Sequence, residues 1–297
     1  MTPQLPEDVR ALYPWGGKRF ALPAGPELHY LDEGAGPVVL MVHGNPTWSF
    51  YYRSLVADLS KDHRCVVPDH LGMGLSDKPD DFEYTIQAHI DHLVALIDHL
   101  DLHDVTLVVH DWGGPIGFGA AIARPDRFKR FVVFNTSLFH GPLPKSIALC
   151  RVPALGPVLV QGLNGFVRVS LVRAIADRSR IAGPVGRGYL APYDSWAHRK
   201  AQQAFVEAIP MKPSHPNWDL IAHIDRDSGV FGSRPMMMVW GEQDFCFTPW
   251  FRKGMEARFP EAEVHALDDA SHYVVEDAHE RILPLIRDFL ARHPLDA

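Results

Sequence analysis

The stretch Leu107-Val108-Val109-His110-Asp111-Trp112-Gly113-Gly114-Pro115-Ile116-Gly117 reads as a short, continuously apolar strand that stops at an aspartate. Two glycines follow, and then a run from Ile116 to Arg124 that can form a helix. A strand, a tight turn and a helix with one reactive side chain at the corner is a device for presenting a nucleophile. The corner residue here is a carboxylate and not a serine. That points to displacement at carbon more than to ordinary acyl transfer.

Outward from this corner the chain alternates strand and helix. Pro37 to Val42 is apolar at every position, as expected of a strand buried on both faces of a mostly parallel sheet. Leu28 to Asp32, Arg64 to Val67, Val105 to Val109, Phe131 to Phe134, Met236 to Trp240 and Glu263 to Ala266 are the other strand candidates. Ser49 to Leu59, Thr85 to Leu100, Pro249 to Arg258 and Ala278 to Ala291 carry helical patterns. The class is therefore α/β with right-handed crossovers. From about Leu138 to Val230 the rhythm changes: prolines are dense, helix-competent runs lie between them, and no clear strand occurs. We read 1–137 and 231–297 as a core domain and 138–230 as an inserted helical cap.

Bulk properties narrow the function. The chain has 297 residues and a net charge of −7, which predicts no basic footprint for nucleic acid or for an anionic membrane. Residues 1–10 are polar and hold no apolar core of signal-peptide length. Cys65, Cys150 and Cys246 are odd in number and far apart, so a disulfide framework is not expected and a cytoplasmic location is. The most apolar long stretch, Ile147 to Ile175, holds Arg151, Arg168 and Arg173 and is broken by Pro153 and Pro157, which excludes a transmembrane helix there.

Functional groups in open parallel sheets collect at the carboxyl ends of strands, and Asn45, Asp111, Asp244 and His272 sit there. Asp111 is the expected nucleophile, able to attack a saturated carbon and form an ester. His272 is selected among 17 histidines by its position after the last strand, where it can activate water. Asp244 would orient it; the rival acid position, after the Phe131 strand, holds Asn135, which carries no charge. The indole N–H of Trp112 and the carboxamide of Asn45 are donors that can stabilise a leaving anion, halide or carboxylate. His89, His92, His99 and His103 recur at metal-like offsets, but we assign them to the solvated face of their helix and expect no metal and no cofactor. Gly72-x-Gly74 lacks the context of a nucleotide site.

The segments His43-Gly44-Asn45-Pro46, Asp69 through Pro79 and Val109 to Gly114, with Asp244 and His272, resemble the haloalkane dehalogenases, and specifically their third subfamily. Ala11 to Trp15, Trp48 to Arg53, Leu163 to Phe166 and Ala191 to Trp196 extend the resemblance to the bacterial β-lactone decarboxylases of long-chain olefin biosynthesis. The resemblance implies the α/β-hydrolase fold, a mostly parallel eight-stranded sheet with helices on both faces and an inserted cap. It implies a small apolar substrate, either a cis-β-lactone with two long alkyl chains or a haloalkane. It also implies assembly with a β-lactone synthetase and other pathway enzymes. An epoxide hydrolase shares the Asp corner but needs two cap tyrosines, for which only Tyr189 and Tyr193 are candidates. In the cap, Ala154-Leu155, Val158-Leu159-Val160, Leu163, Phe166 and Val167 form an apolar set that we expect to receive a long-chain substrate.

Overall fold

The computed structural model describes residues 5–23 and 25–295; part of the N-terminal segment read above lies outside them. Eight strands form one sheet: β1 Lys18–Ala21, β2 Glu27–Glu33, β3 Val38–Val42, β4 Arg64–Pro68, β5 Val105–Val109, β6 Phe128–Phe134, β7 Met236–Gly241 and β8 Glu263–Leu267, in the order β1-β2-β4-β3-β5-β6-β7-β8. From β4 to β8 all pairs are parallel; β1 with β2 and β2 with β4 are antiparallel. Every residue of β5 and β7 is buried, which is why these strands read as apolar runs, broken in β5 only by Thr106. The short edge strand β1, Lys-Arg-Phe-Ala, escapes that reading because it is charged and half exposed.

Core helices are α1 Glu7–Leu12, α2 Arg53–Leu59, α3 Ile86–His99 and α4 Gly113–Ala123. Helix α4 is buried on nearly all sides, and its small residues let it approach its neighbours closely. A Cβ on Gly117 would lie 2.8 Å from Val109, and one on Gly119 2.6 Å from Ile90 of α3. Helix α3 caps its N-terminus with Thr85, which accepts from the Ala88 N–H. His89 on this helix is buried against the Phe205 ring at 4.7 Å, so the expectation of a solvated face fails for it. Burial pushes its pKa down to about 3, leaving a neutral ring. No group of three or more His, Cys, Asp or Glu is arranged to hold a metal ion among the described residues.

Between β6 and β7 the described chain has helices and no strand. This insertion, the cap, contains α5 Lys145–Leu149, α6 Leu155–Gly162, α7 Gly165–Arg173, α8 Pro184–Leu190, α9 Lys200–Glu207 and α10 Trp218–Asp227. Two helices complete the core, α11 Pro249–Arg258 and α12 Val274–Arg292. A buried ion pair ties cap to core: the Arg53 guanidinium holds both oxygens of Glu276, one at 2.9 Å, and Tyr189 of α8 donates to the same carboxylate at 2.5 Å. Removing one partner of such a group strands the other charge without water. Glu276→Ala should therefore cost roughly 3–5 kcal/mol of stability. Tyr189→Phe, which leaves the ion pair intact, should cost about 1.5–3 kcal/mol. Urea midpoints at constant slope measure both, and an unchanged midpoint in Glu276→Ala would show the pair to be idle.

Candidate active site

Strands β3 and β5 are neighbours, and the chain leaves one toward the β1 edge and the other toward the β8 edge. The loops after them open a crevice at this reversal. Asn45 enters it from β3 and Asp111 from β5. Asp111 has φ +53°, a left-handed conformation that a non-glycine residue holds only when its surroundings enforce it. Its N–H donates to the Asn135 carbonyl at 2.9 Å, and the Thr136 hydroxyl donates to the Asp111 carbonyl. Gly44 and Gly113 leave the necessary room. A Cβ on the first would lie 2.2 Å from Asp111 Oδ1, and on the second 2.0 Å from the Val42 carbonyl.

The carboxylate is pointed as well as placed. Asp111 Oδ1 accepts the Asn45 N–H at 2.7 Å, while Oδ2 lies 3.7 Å from His272 Nε2. His272 Nδ1 donates to Asp244 Oδ2 at 2.8 Å, so the neutral ring carries its lone pair on Nε2, toward Asp111. Burial drives the Asp111 carboxyl above the usual aspartate range, and the His272 charge and the N–H groups of Asn45 and Trp112 restrain the rise. Burial also works to lower the His272 pKa, but Asp244 and then Asp111 outweigh it and leave the imidazole above its ordinary value.

Asn45, Asp111 and Trp112 line one cavity between the core and the cap. Its walls are mostly apolar, with Phe247 and Phe251 from the core and Phe139, Ile147, Phe166 and Val206 from the insertion, beside the polar Ser137 and His140. One Asn45 amide N–H is spent on the Gln202 carbonyl at 3.2 Å, which leaves its second hydrogen uncommitted. No acceptor takes the Trp112 indole N–H among the described residues. The tyrosines that an epoxide hydrolase would need are elsewhere. Tyr189 is held by Glu276 and Tyr193 by Thr47 and Gly74, and neither lines the cavity. Of the apolar cap set, only Phe166 does; Ala154, Leu155, Val158 and Leu163 face outward.

Three residues that the sequence reading passed over complete the site. Asn135, set aside as an uncharged rival, donates to Asp244 Oδ2 at 2.9 Å while its carbonyl holds Asp111, so it joins both carboxylates. His110 Nε2–H donates to the His272 carbonyl at 2.8 Å, and its ring stacks on Tyr51. Asp277 collects the Ser271 N–H beside the histidine at 2.8 Å and the cap N–H groups of Ala176 and Asp177. Asn135 was findable from its place at the end of β6; the other two act through main-chain atoms and leave no pattern in the sequence.

Because Asp244 supplies most of the upward pull on His272, Asp244→Asn should drop the imidazole pKa below its ordinary value, burial then being unopposed but for Asp111. Histidine ring titration by NMR checks this, and equal pKa values in both proteins would remove Asp244 from the assignment.

Residues 37–169 match the family described as alpha/beta hydrolase fold. A protein of Shewanella oneidensis named cis-3-alkyl-4-alkyloxetan-2-one decarboxylase is 44% identical over 273 residues, 90% of this chain and 86% of the relative. One of the same name from Xanthomonas campestris is 42% identical over 95% of this chain and 98% of its own length. Haloalkane dehalogenase 2 of Mycobacterium bovis is 34% identical over 93% and 95%. Among solved structures, the haloalkane dehalogenase DatA of Agrobacterium tumefaciens superposes with a TM-score of 0.82 at 27% identity, covering 93% of this chain and 97% of that one. Fold, site geometry and sequence agree: the chain belongs to the α/β-hydrolase fold family, on the branch shared by the cis-3-alkyl-4-alkyloxetan-2-one decarboxylases and the haloalkane dehalogenases.

Proposed function

We propose that this protein converts a cis-β-lactone carrying two alkyl chains into a cis-olefin and carbon dioxide, with Asp111 as nucleophile. The observation that carries the reading is a single carboxylate, held by main-chain N–H groups, in a cavity whose other walls are mostly apolar. Relatives named for this activity at 42–44% identity, against 34% for the dehalogenases, favour it further.

In this mechanism Asp111 Oδ2 attacks the ring carbon that bears oxygen. The new carbon–oxygen bond forms as the ring carbon–oxygen bond breaks, and the ring oxygen departs with its electron pair as a carboxylate. Trp112 and the free amide hydrogen of Asn45 are the donors for that anion. Attack from behind leaves the Asp111 ester anti to the carboxylate. The bond to the carboxylate carbon then breaks, its electrons form the double bond, and Asp111 leaves as it arrived. Inversion followed by anti loss keeps both chains on one side, so the olefin is cis. No proton is gained or lost overall. The apolar walls suit the alkyl chains, at roughly 0.8 kcal/mol per buried methylene.

His272 gives the competing outcome. Water activated by its Nε2 would cleave the ester to a β-hydroxy acid, and with a haloalkane the same residues would release halide and alcohol. By the main reading a β-lactone synthetase supplies the substrate, and co-purification tests whether the two assemble.

Purified enzyme and a cis-dialkyl β-lactone should give cis-olefin and carbon dioxide in equal amounts. Recovery of the hydroxy acid alone would end the decarboxylase reading, and faster halide release from a 1-haloalkane would replace it with the dehalogenase one. Asp111→Asn should lower kcat by at least about 10³-fold. Trp112→Phe should lower it by roughly 10²-fold if the indole N–H carries the leaving anion.

A further inference from the structure

The apolar cap residues that miss the cavity pose their own question. Eight of the twelve exposed large hydrophobic residues among the described residues fall between Leu149 and Trp196. Leu163 is 62% exposed, Trp196 51%, Val169 49% and Val158 48%. Three of them adjoin: a Cβ on Gly162, next to Leu163, would sit 3.2 Å from the Trp196 ring and 4.0 Å from Val158. On α7, Val169 and Val172 are one turn apart and share an outward face. Helices α6 and α7 together have the length and apolarity of a membrane span, yet they meet at 74°; no single helix is long and apolar enough to cross. A pair bent so sharply suits lying along an interface better than crossing it.

Charge singles out the occupant. Residues 138–200 hold nine lysines and arginines against two aspartates, an excess of seven positive charges in a chain whose total is −7. The chain-wide sum hides this segment, in which Arg180 and Arg187 pair with Glu280 and Asp8 from outside it. Arg168 and Arg173 border the exposed valines of α7, and neither pairs with a carboxylate among the described residues, while the Arg173 guanidinium lies over the Phe245 ring at 4.6 Å. A second copy of the chain docked face to face would oppose these charges with their like. An anionic bilayer would neutralise them while burying the apolar side chains.

The same helices reach the cavity. Ile147 of α5 and Phe166 of α7 line it, while Leu149 and Val169 on those helices face outward. We propose that the outer face of the cap, formed by Val158, Leu163, Val169, Val172 and Trp196 and bordered by Arg168 and Arg173, binds the surface of an anionic lipid bilayer without crossing it. An apolar molecule dissolved in that bilayer then has only one layer of cap helices between it and Asp111. The proposal rests on exposure and charge and does not depend on the reaction assigned above.

Flotation of the full-length protein with vesicles tests it, using phosphatidylcholine with phosphatidylglycerol in one arm and phosphatidylcholine alone in the other. The protein should float with the anionic vesicles, less so with neutral ones, and added salt should weaken the binding. Leu163→Asp with Val169→Asp, and separately Arg168→Glu with Arg173→Glu, should each lower binding to anionic vesicles by about tenfold or more. All four positions are exposed, so near-UV circular dichroism should stay at its wild-type form, and the thermal midpoint should hold apart from a small drop where Arg173 leaves the Phe245 ring. The proposal is overturned if the wild-type protein stays out of both vesicle types, or if both double variants float as well as it does. It is equally overturned if the protein elutes as a dimer that Leu163→Asp dissociates and neither form floats, since the face then serves self-association.

Discussion

A carboxylate buried among phenylalanines tends to take up a proton and lose its nucleophilicity, and much of the structure around Asp111 opposes that tendency. Two main-chain N–H groups and the imidazole of His272 offset part of the burial cost. Each of these requires backbone in an unusual place. The left-handed turn at Asp111 brings the carboxylate back over the β3 loop, and the missing side chain at Gly44 lets it arrive. The close packing of α4 on β5 and α3 then keeps the turn from relaxing. In a serine enzyme of this fold, N–H groups so placed hold the substrate oxyanion. Here the Asn45 N–H holds the Asp111 carboxylate itself, so in the proposed reaction the leaving anion would need other donors, the part given above to the Asn45 amide and the Trp112 indole.

Much of this was legible in the sequence, for physical reasons that also mark where legibility stops. A strand covered on both faces is apolar throughout, so β3, β5 and β7 announced themselves, and the Asp-Trp-Gly-Gly corner followed from where β5 ended. The charged edge strand β1 carries no such pattern. His89 was misread because a helix wheel gives the polar side of α3 but not what covers it. Its partner, Phe205, lies more than a hundred residues later in the cap. Asn135 was judged by its charge alone, whereas its work is to donate to one carboxylate and anchor the other.

The cap was hardest to read for a related reason. Its helices are short and bent, so an apolar run such as Leu155 to Val167 has no sustained period to separate inward from outward positions. The composition was correct and the direction was not. Charge misled in the same way: a sum over the whole chain is informative only when the charges are well mixed, and here the cations gather on one segment.

The hydrogen bonds around His272 have a mechanical consequence. Its neighbour Ser271 shares the Asp277 carboxylate with the cap residues Ala176 and Asp177, and Tyr273 bonds through its N–H to Ala174 and through its hydroxyl to Ser170 of α7. The histidine is thus clamped from both sides to the C-terminal end of α7 and the loop after it. Lifting that helix to admit a bulky molecule would drag the imidazole off its line to Asp111. Under the proposed roles, opening the lid and disarming His272 as a base would be a single movement, an interlock that would tie readiness for water attack to closure of the cap.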